Sequence, residues 1–327
     1  MSEQSVRISR LVMPLQAGRT KFTDTMDIDQ QGHRLYMGDN WSRGIDVFDI
    51  TTALPNYLKT ITSTSFRPAV FFGLCVAKNV QKVFVAHGTS LVSAIDIEPG
   101  SPTVDAVVAT VATGGALMAD LIEYDPLHKK VYVANRDEGF MTSIDGGTVE
   151  IVAKIEGLAG ALEQPRFNES DGYIYIVSNT DNVIHQIDPL TDRLVNTFDI
   201  GDECNPNGLA INPTTNQALL ACDNRDRPHT VIWDLTAQRI ASVSDACGCG
   251  DGAIYDSVAD LFFFAASGFP SGPVIGIFGG NPVTFRTNVP TAPAASWVAF
   301  DQANKLVYAP SIEDGRPALI SFPLPPL

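Results

Sequence analysis

The chain has 327 residues, with 22 Lys and Arg against 37 Asp and Glu, a formal net charge of −15. So acidic a chain is a poor partner for nucleic acid or an anionic membrane, because phosphate binding needs clustered cations. With 45% hydrophobic and 18% charged residues the composition is globular, and no run of about eighteen apolar residues offers a membrane span.

In chain order, Met1–Arg10 is polar and lacks the apolar stretch of a secretory signal, so a cytoplasmic protein is expected. Ser5–Met13 (SVRISRLVM) reads as a strand. From Met26 a short pattern begins that returns along the whole chain: an apolar stretch, Asp or Asn with a turn, then an alternating strand ending in a small residue. It reads MDIDQQGHRLYMGD from Met26, LCVAKNVQKVFVAHG from Leu74, LIEYDPLHKKVYVAN from Leu121 and RFNESDGYIYIVSN from Arg166. Three more copies are LAINPTTNQALLACD from Leu209, AIYDSVADLFFFAAS from Ala253 and VAFDQANKLVYAPS from Val298. A third alternating strand follows each hairpin, as in Gly44–Ile50, Val183–Asp188 and Thr230–Leu235. A fourth comes after it, as in Leu58–Thr64 and Leu194–Ile200.

In register, the copies place equivalent residues at 24, 72, 120, 163, 207, 251 and 296, spaced 43 to 48 residues apart. That is the length of one four-stranded propeller blade. The pattern predicts an all-β, seven-bladed β-propeller with four-stranded antiparallel blades, spanning 1–327 as a single domain. The last copy supplies strands near Ala294–Asp301, Leu306–Ala309 and Ala318–Phe322 and lacks an outer one. Ser5–Met13 is expected to fill that place, closing the ring and hiding its edges.

The equivalent positions hold Asp24, Phe72, Asp120, Glu163, Asn207, Asp251 and Ser296. Each begins an innermost strand at one mouth of the central channel. Carboxylates around one narrow opening repel unless a cation or protons neutralise them. An all-oxygen set suits a hard cation, Ca²⁺ before Mg²⁺. The same residues could instead cap strand ends, since Asp and Asn are common in turns.

The copies resemble the YVTN-type propeller repeat, KKVYVAN (Lys129–Asn135) most closely. Three strand starts are also similar to SMP-30/gluconolactonase/lactonase-like propellers: Asn205-Pro206-Asn207-Gly208-Leu209, Gly250-Asp251-Gly252 and Leu162-Glu163-Gln164-Pro165. That second resemblance implies a divalent cation, usually calcium, on Glu163, Asn207 and Asp251, with Mg²⁺, Mn²⁺ or Zn²⁺ as alternatives. Here the sequence departs from the family, which is normally six-bladed and carries its Glu nearer the N-terminus.

The loops after the second strands open on the same face. His87 (VFVAHGTS) ends one of them and would either move protons or be an exposed loop histidine. Asp120 and Asp24 are the carboxylate candidates for activating water. Arg43, Arg136 and Arg225 lie in mouth-side loops and would bind an anionic substrate or pair with Asp137, Asp223 and Asp226. Phe72, Trp297 and Phe140 would form an apolar collar or pack between blades. Cys204, Cys222, Cys247 and Cys249 cluster in the fifth and sixth blades, where free thiols are expected; a Cys204–Cys249 disulfide or a soft-metal site are the alternatives. No phosphate cradle, nucleophile elbow or dinucleotide fingerprint occurs in its required setting.

These features point to a metal-dependent enzyme acting on a small, partly apolar molecule, most simply a lactonase or esterase. A lyase, isomerase or cyclase is an alternative, and a monomeric propeller that binds a protein partner without catalysis is another.

Overall fold

The computed structural model describes residues 7–12, 25–40, 42–66, 70–158, 160–292 and 294–326. They form seven four-stranded antiparallel sheets, and the described helices are two single 3-10 turns, Lys78–Val80 and Arg136–Glu138. The innermost strands of blades 1 to 7 are Met26–Asp29, Phe71–Ala77, Ala119–Asp125, Leu162–Asn168, Pro206–Asn212, Ala253–Asp256 and Ala299–Asp301. Those of blades 1 to 6 pack each beside the next, blade 7 joins blade 6 through the Gly252 N–H to Ser296 carbonyl bond and a shared apolar cluster, and Met26–Asp29 returns against Ala299–Asp301, so the sheets stand in a closed ring.

The Asp or Asn in each copy has a local task. Asp29 Oδ1 accepts hydrogen bonds from the backbone N–H of Gln31 and Gly32, and Asp125 Oδ1 does the same for Leu127 and His128. Asn212, Asp256 and Asp301 repeat the motif in blades 5, 6 and 7. These Asx turns bend the chain into the hairpin. The residue before every second strand is then left-handed: His33, Gln81, Lys129, Gly172, Asn216, Asp260 and Lys305 all have positive φ. Such a residue costs roughly 1 kcal/mol when it is not glycine; the paired Asx hydrogen bonds offset that in blades 1, 3, 5, 6 and 7, and in blade 2 the 3-10 turn Lys78–Val80 takes their place.

The second and third strands are buried on both faces, as in Arg34–Asp39 and Gly44–Asp49, and the outer strands alternate, as in Val107–Ala112. Apolar residues collect in seven clusters, one at each interface between neighbouring blades. Tyr36, Tyr132, Tyr175 and Tyr308, equivalent residues of four second strands, are among the largest fully buried side chains. No single core fills the middle, so the axis is left to polar groups.

The N-terminal strand closes the ring as expected. Ser9–Val12 pairs antiparallel with Arg316–Pro323, placing Ser9 opposite Ser321 and Val12 opposite Ala318. The last innermost strand is shorter than the expected Ala294–Asp301, running only over Ala299–Asp301. Ala294 is left-handed at φ 73°, and the Ser296 carbonyl accepts from Gly252 of the neighbouring blade, which draws this approach out of its own ladder.

Candidate functional site

The residue that starts an innermost strand does not sit in a regular ladder. The register between first and second strands slips between Phe71 and Gly73, Ala119 and Ile122, Leu162 and Pro165, and Pro206 and Gly208. A bulge of this kind re-aims the extra residue's side chain. Here the slips fall on Phe72, Asp120, Glu163 and Asn207, and all four line one chamber of about 210 Å³ with Asp251, Arg136 and Trp297.

Two glycines of the strand-start motifs are explained by packing. A Cβ on Gly208 would lie 2.2 Å from the Asp251 carbonyl oxygen. One on Gly252 would lie 2.4 Å from the Trp297 ring, so the indole covers the strand start closely.

Arg136, in the 3-10 turn after the second strand of blade 3, reaches across the mouth. Its Nε donates to Glu163 Oε1 at 2.7 Å and stands 3.4 Å from Asp120 Oδ2, while Nη1 donates to Asp137 at 3.2 Å. One cation therefore serves several acids. Burial pushes Asp120 up to about 7, against the pull of Arg136 and with help from the Asp251 charge. Burial and then Asp120 hold Glu163 well above the usual carboxylate range. Asp251 rises to about 6 through burial and the nearby Asp223, itself raised by burial. Asn207 is held from both ends: its Oδ1 accepts from Asn179 Nδ2 at 2.5 Å and its Nδ2 donates to the Gly250 carbonyl at 3.5 Å.

Other sequence candidates stand elsewhere. His87 was expected near the mouth. It is fully buried inside blade 2, its Nε2 2.8 Å from Ser93 Oγ and its ring edge-on to Phe66 at 5.2 Å. Burial lowers its pKa to about 4, so it is neutral at ordinary pH. Arg225 points into solvent with Asp223 3.9 Å away and does not line the chamber. Phe140 is buried under the Lys154 ammonium, 4.2 Å from the ring centre, also away from it. Ser296 is buried and does not line the chamber, whereas the next residue, Trp297, does. Asp24 lies outside the described residues.

A second ring, three residues further along the innermost strands, escaped the sequence reading. Asp27, Cys75, Glu123, Arg166 and Ile254 occupy it and line a cavity of about 350 Å³. Arg166 donates to Glu123 at 2.8 Å and to the Ala253 carbonyl at 2.9 Å. Asp27 accepts the backbone N–H of Ile28 and of Val76, both at 2.8 Å. Burial raises Glu123 to about 7 despite Arg166. Between the rings, the fully buried Gln164 ties blade 4 to two others. Its Nε2 donates to the Ala253 carbonyl at 2.9 Å, and its Oε1 accepts from Leu209 at 2.9 Å and Ala253 at 3.1 Å. Registering the repeat three residues downstream would have exposed this ring.

The cysteines correct the expectation of free thiols. Cys204 is disulfide-bonded to Cys222, not to Cys249. Cys204 lies just before the strand Pro206–Asn212, whose Pro206 is opposite Cys222, so the pair stands on adjacent segments. Cys249 instead aims its thiol at the Asn224 carbonyl, 3.2 Å away. Cys75, Cys247 and Cys249 are free and buried.

No protein-family model matches the chain, and no curated protein matches it. Among solved structures it is similar to a chain of "Crystal Structure of Mitotic Checkpoint Complex", at 13% identity and TM-score 0.75 over 99% of this chain and 96% of that one. It is also similar to "Structure of U3-55K", at 8% identity and TM-score 0.74 over 98% and 99%. At such identities the likeness is one of fold alone.

Proposed function

We propose that the acidic mouth is a small-molecule site that hydrolyses a lactone or ester with the help of a divalent cation, calcium first. The observation that carries this is an imbalance of charge: Asp120 and Glu163 share one guanidinium, and Asp251 lines the same chamber of about 210 Å³. Buried carboxylates in excess of their counter-charges take up protons or a cation. Their oxygens fit calcium, which tolerates irregular coordination.

Arg136 already engages Glu163 Oε1, and Asn179 already engages Asn207 Oδ1. The donors would therefore be Asp251 and the second oxygen of Glu163, with Asn207 in support, and Asp120 would stay outside the coordination shell. A cation there would polarise a substrate carbonyl and stabilise the oxyanion that develops on it.

Asp120, pushed up to about 7, exchanges its proton near neutrality, as a group that accepts from water and returns to a leaving oxygen must. Arg136 presents a donor to an anionic or carbonyl oxygen. Phe72 and Trp297 supply the apolar wall that excludes water. The same proton exchange beside a carbonyl would give isomerisation or elimination, which product analysis separates from hydrolysis.

The test is thermal unfolding of the purified chain with EDTA and with calcium added back, then a lactone and ester panel. Calcium at a hundredfold excess over its dissociation constant should add about 2.7 kcal/mol. Asp251→Asn should abolish the response, and Asp120→Asn should cut turnover by roughly a hundredfold or more. An unmoved midpoint together with an inert panel sinks the reading. The competing one, a propeller that docks a protein partner without catalysis, draws on the likeness to a propeller from a mitotic checkpoint complex; it expects neither response.

A further inference from the structure

Behind the fifth-blade strand start lies a group of side chains that the mouth chemistry does not use. Cys204, Cys222 and His229 are fully buried, and one ligand atom of each lies within 4.8 Å of the others. His229 Nδ1 is 2.6 Å from the Arg227 carbonyl, a contact in which the nitrogen must carry the proton. In the neutral ring Nε2 is then the bare acceptor. It is buried with no hydrogen-bond partner, and it faces Asp202 Oδ1 at 3.7 Å, itself an acceptor of Arg227 Nη1 at 2.6 Å. An unpartnered ring nitrogen is thus buried within the cluster that holds the two sulfurs.

We propose that opening the disulfide turns this cluster into a zinc site with Cys204, Cys222 and His229 as ligands, and with Asp202, which stands outside that group beside the imidazole, swinging in as the fourth. Two thiolates, an imidazole and a carboxylate are an ordinary tetrahedral zinc set. A backbone carbonyl on the far imidazole nitrogen is the outer support that zinc-bound histidines have, and here it fixes the tautomer that leaves Nε2 free to coordinate. The charges also close: two thiolates and Asp202 balance Zn²⁺ and Arg227.

The change is driven by a dithiol reductant. It gives two electrons and two protons to the sulfur–sulfur bond and leaves as its own disulfide. Zinc then replaces the two thiol protons, which go to solvent. A disulfide oxidant reverses the sequence: it takes the two electrons, Cys204 and Cys222 rejoin, and zinc is released. The sulfurs must part to roughly 3.7 Å to share one zinc at about 2.3 Å each. The proposal is independent of the acidic mouth, whose donors are all oxygens.

The test uses the full chain, reduced anaerobically with dithiothreitol, freed of reductant and titrated with cobalt(II), then zinc. One equivalent of thiolate-bound cobalt should form in the reduced protein and none in the oxidised one, giving thiolate-to-cobalt charge-transfer absorption and tetrahedral d–d bands that zinc abolishes. Asp202→Asn should weaken binding roughly tenfold or more. The Cys247→Ser/Cys249→Ser variant should keep the full spectrum. A reduced wild-type chain without a cobalt–thiolate band overturns the proposal, and no variant is needed to see it. Retention of the band in His229→Gln, or its loss in the Cys247→Ser/Cys249→Ser chain with native near-ultraviolet circular dichroism, would overturn the ligand assignment.

Discussion

Arg136 Nε stands 2.7 Å from Glu163 Oε1 and 3.4 Å from Asp120 Oδ2, so a single guanidinium answers for two carboxylates from different blades. Removing it leaves the buried Glu163 beside Asp120 with no counter-charge. Arg136→Gln should destabilise the calcium-free protein by about 1–3 kcal/mol, as loss of a hydrogen-bonded ion pair does. The loss should be larger at pH 8 than at pH 5.5, where the acids escape by protonation. Urea midpoints at the two values check this, and equal losses would contradict it.

The raised carboxyls fix a pH dependence. Asp120 moves from 3.8 to about 7 and Asp251 from 3.8 to about 6 on folding, so between those limits the native state holds more protons than the unfolded chain. Stability must then fall as pH rises through that window. The thermal midpoint in EDTA should decline from pH 5 to 7.5, less steeply in Asp120→Asn, and calcium should restore it at the upper end. A wild type and variant with parallel profiles would remove Asp120 from this account.

His87 works in the opposite sense. Its pKa falls from 6.5 to about 4 on burial, so it contributes stability above 6.5 that is lost as pH drops toward 4. His87→Gln should resist mild acid better relative to its own neutral-pH stability, and it should leave calcium binding and turnover at the mouth unchanged. A kinetic defect in this variant, with its fold intact, would return His87 to the chemistry.

Gln164 binds blades 4, 5 and 6 together through one side chain. Gln164→Ala strips the partner from the Leu209 and Ala253 N–H groups, while the Ala253 carbonyl keeps Arg166 Nη2. Unsatisfied buried groups of this kind cost about 1–3 kcal/mol each when water cannot reach them, so a loss of several kcal/mol in urea unfolding is expected. A loss under 1 kcal/mol would show that water takes the amide's place.

The blades were legible because their turns and alternation are local. An Asx turn needs only residues within three of each other, and the same offset recurs in Asp29, Asp125 and Asp256. The chamber was legible as far as it follows the repeat: Phe72, Asp120, Glu163, Asn207 and Asp251 share it. What depends on the bulges was not. A slip of one residue breaks the side-chain alternation, so Glu123 and Arg166 line the second cavity three residues beyond Asp120 and Glu163, where strict alternation would turn them away. His87 sits at the expected end of its strand, but the strand's rotation turns its ring toward Phe66. The Cys204–Cys222 bond links the start of one strand to the end of its hairpin partner, a relation that spacing alone does not select from several.

The pairing of Ser9–Val12 with Arg316–Pro323 bears on how the molecule is made. A ribosome delivers the outer strand of blade 7 before any of the other strands that it must join. It has to wait, unpaired, until the far end of the chain emerges. Blades 1 to 6 can assemble hairpin by hairpin as they appear, because their contacts are near in sequence. Closure cannot. Until then the propeller is an open crescent with raw edges at both tips, and its exposure to mispairing ends only when Ser9–Val12 meets Arg316–Pro323.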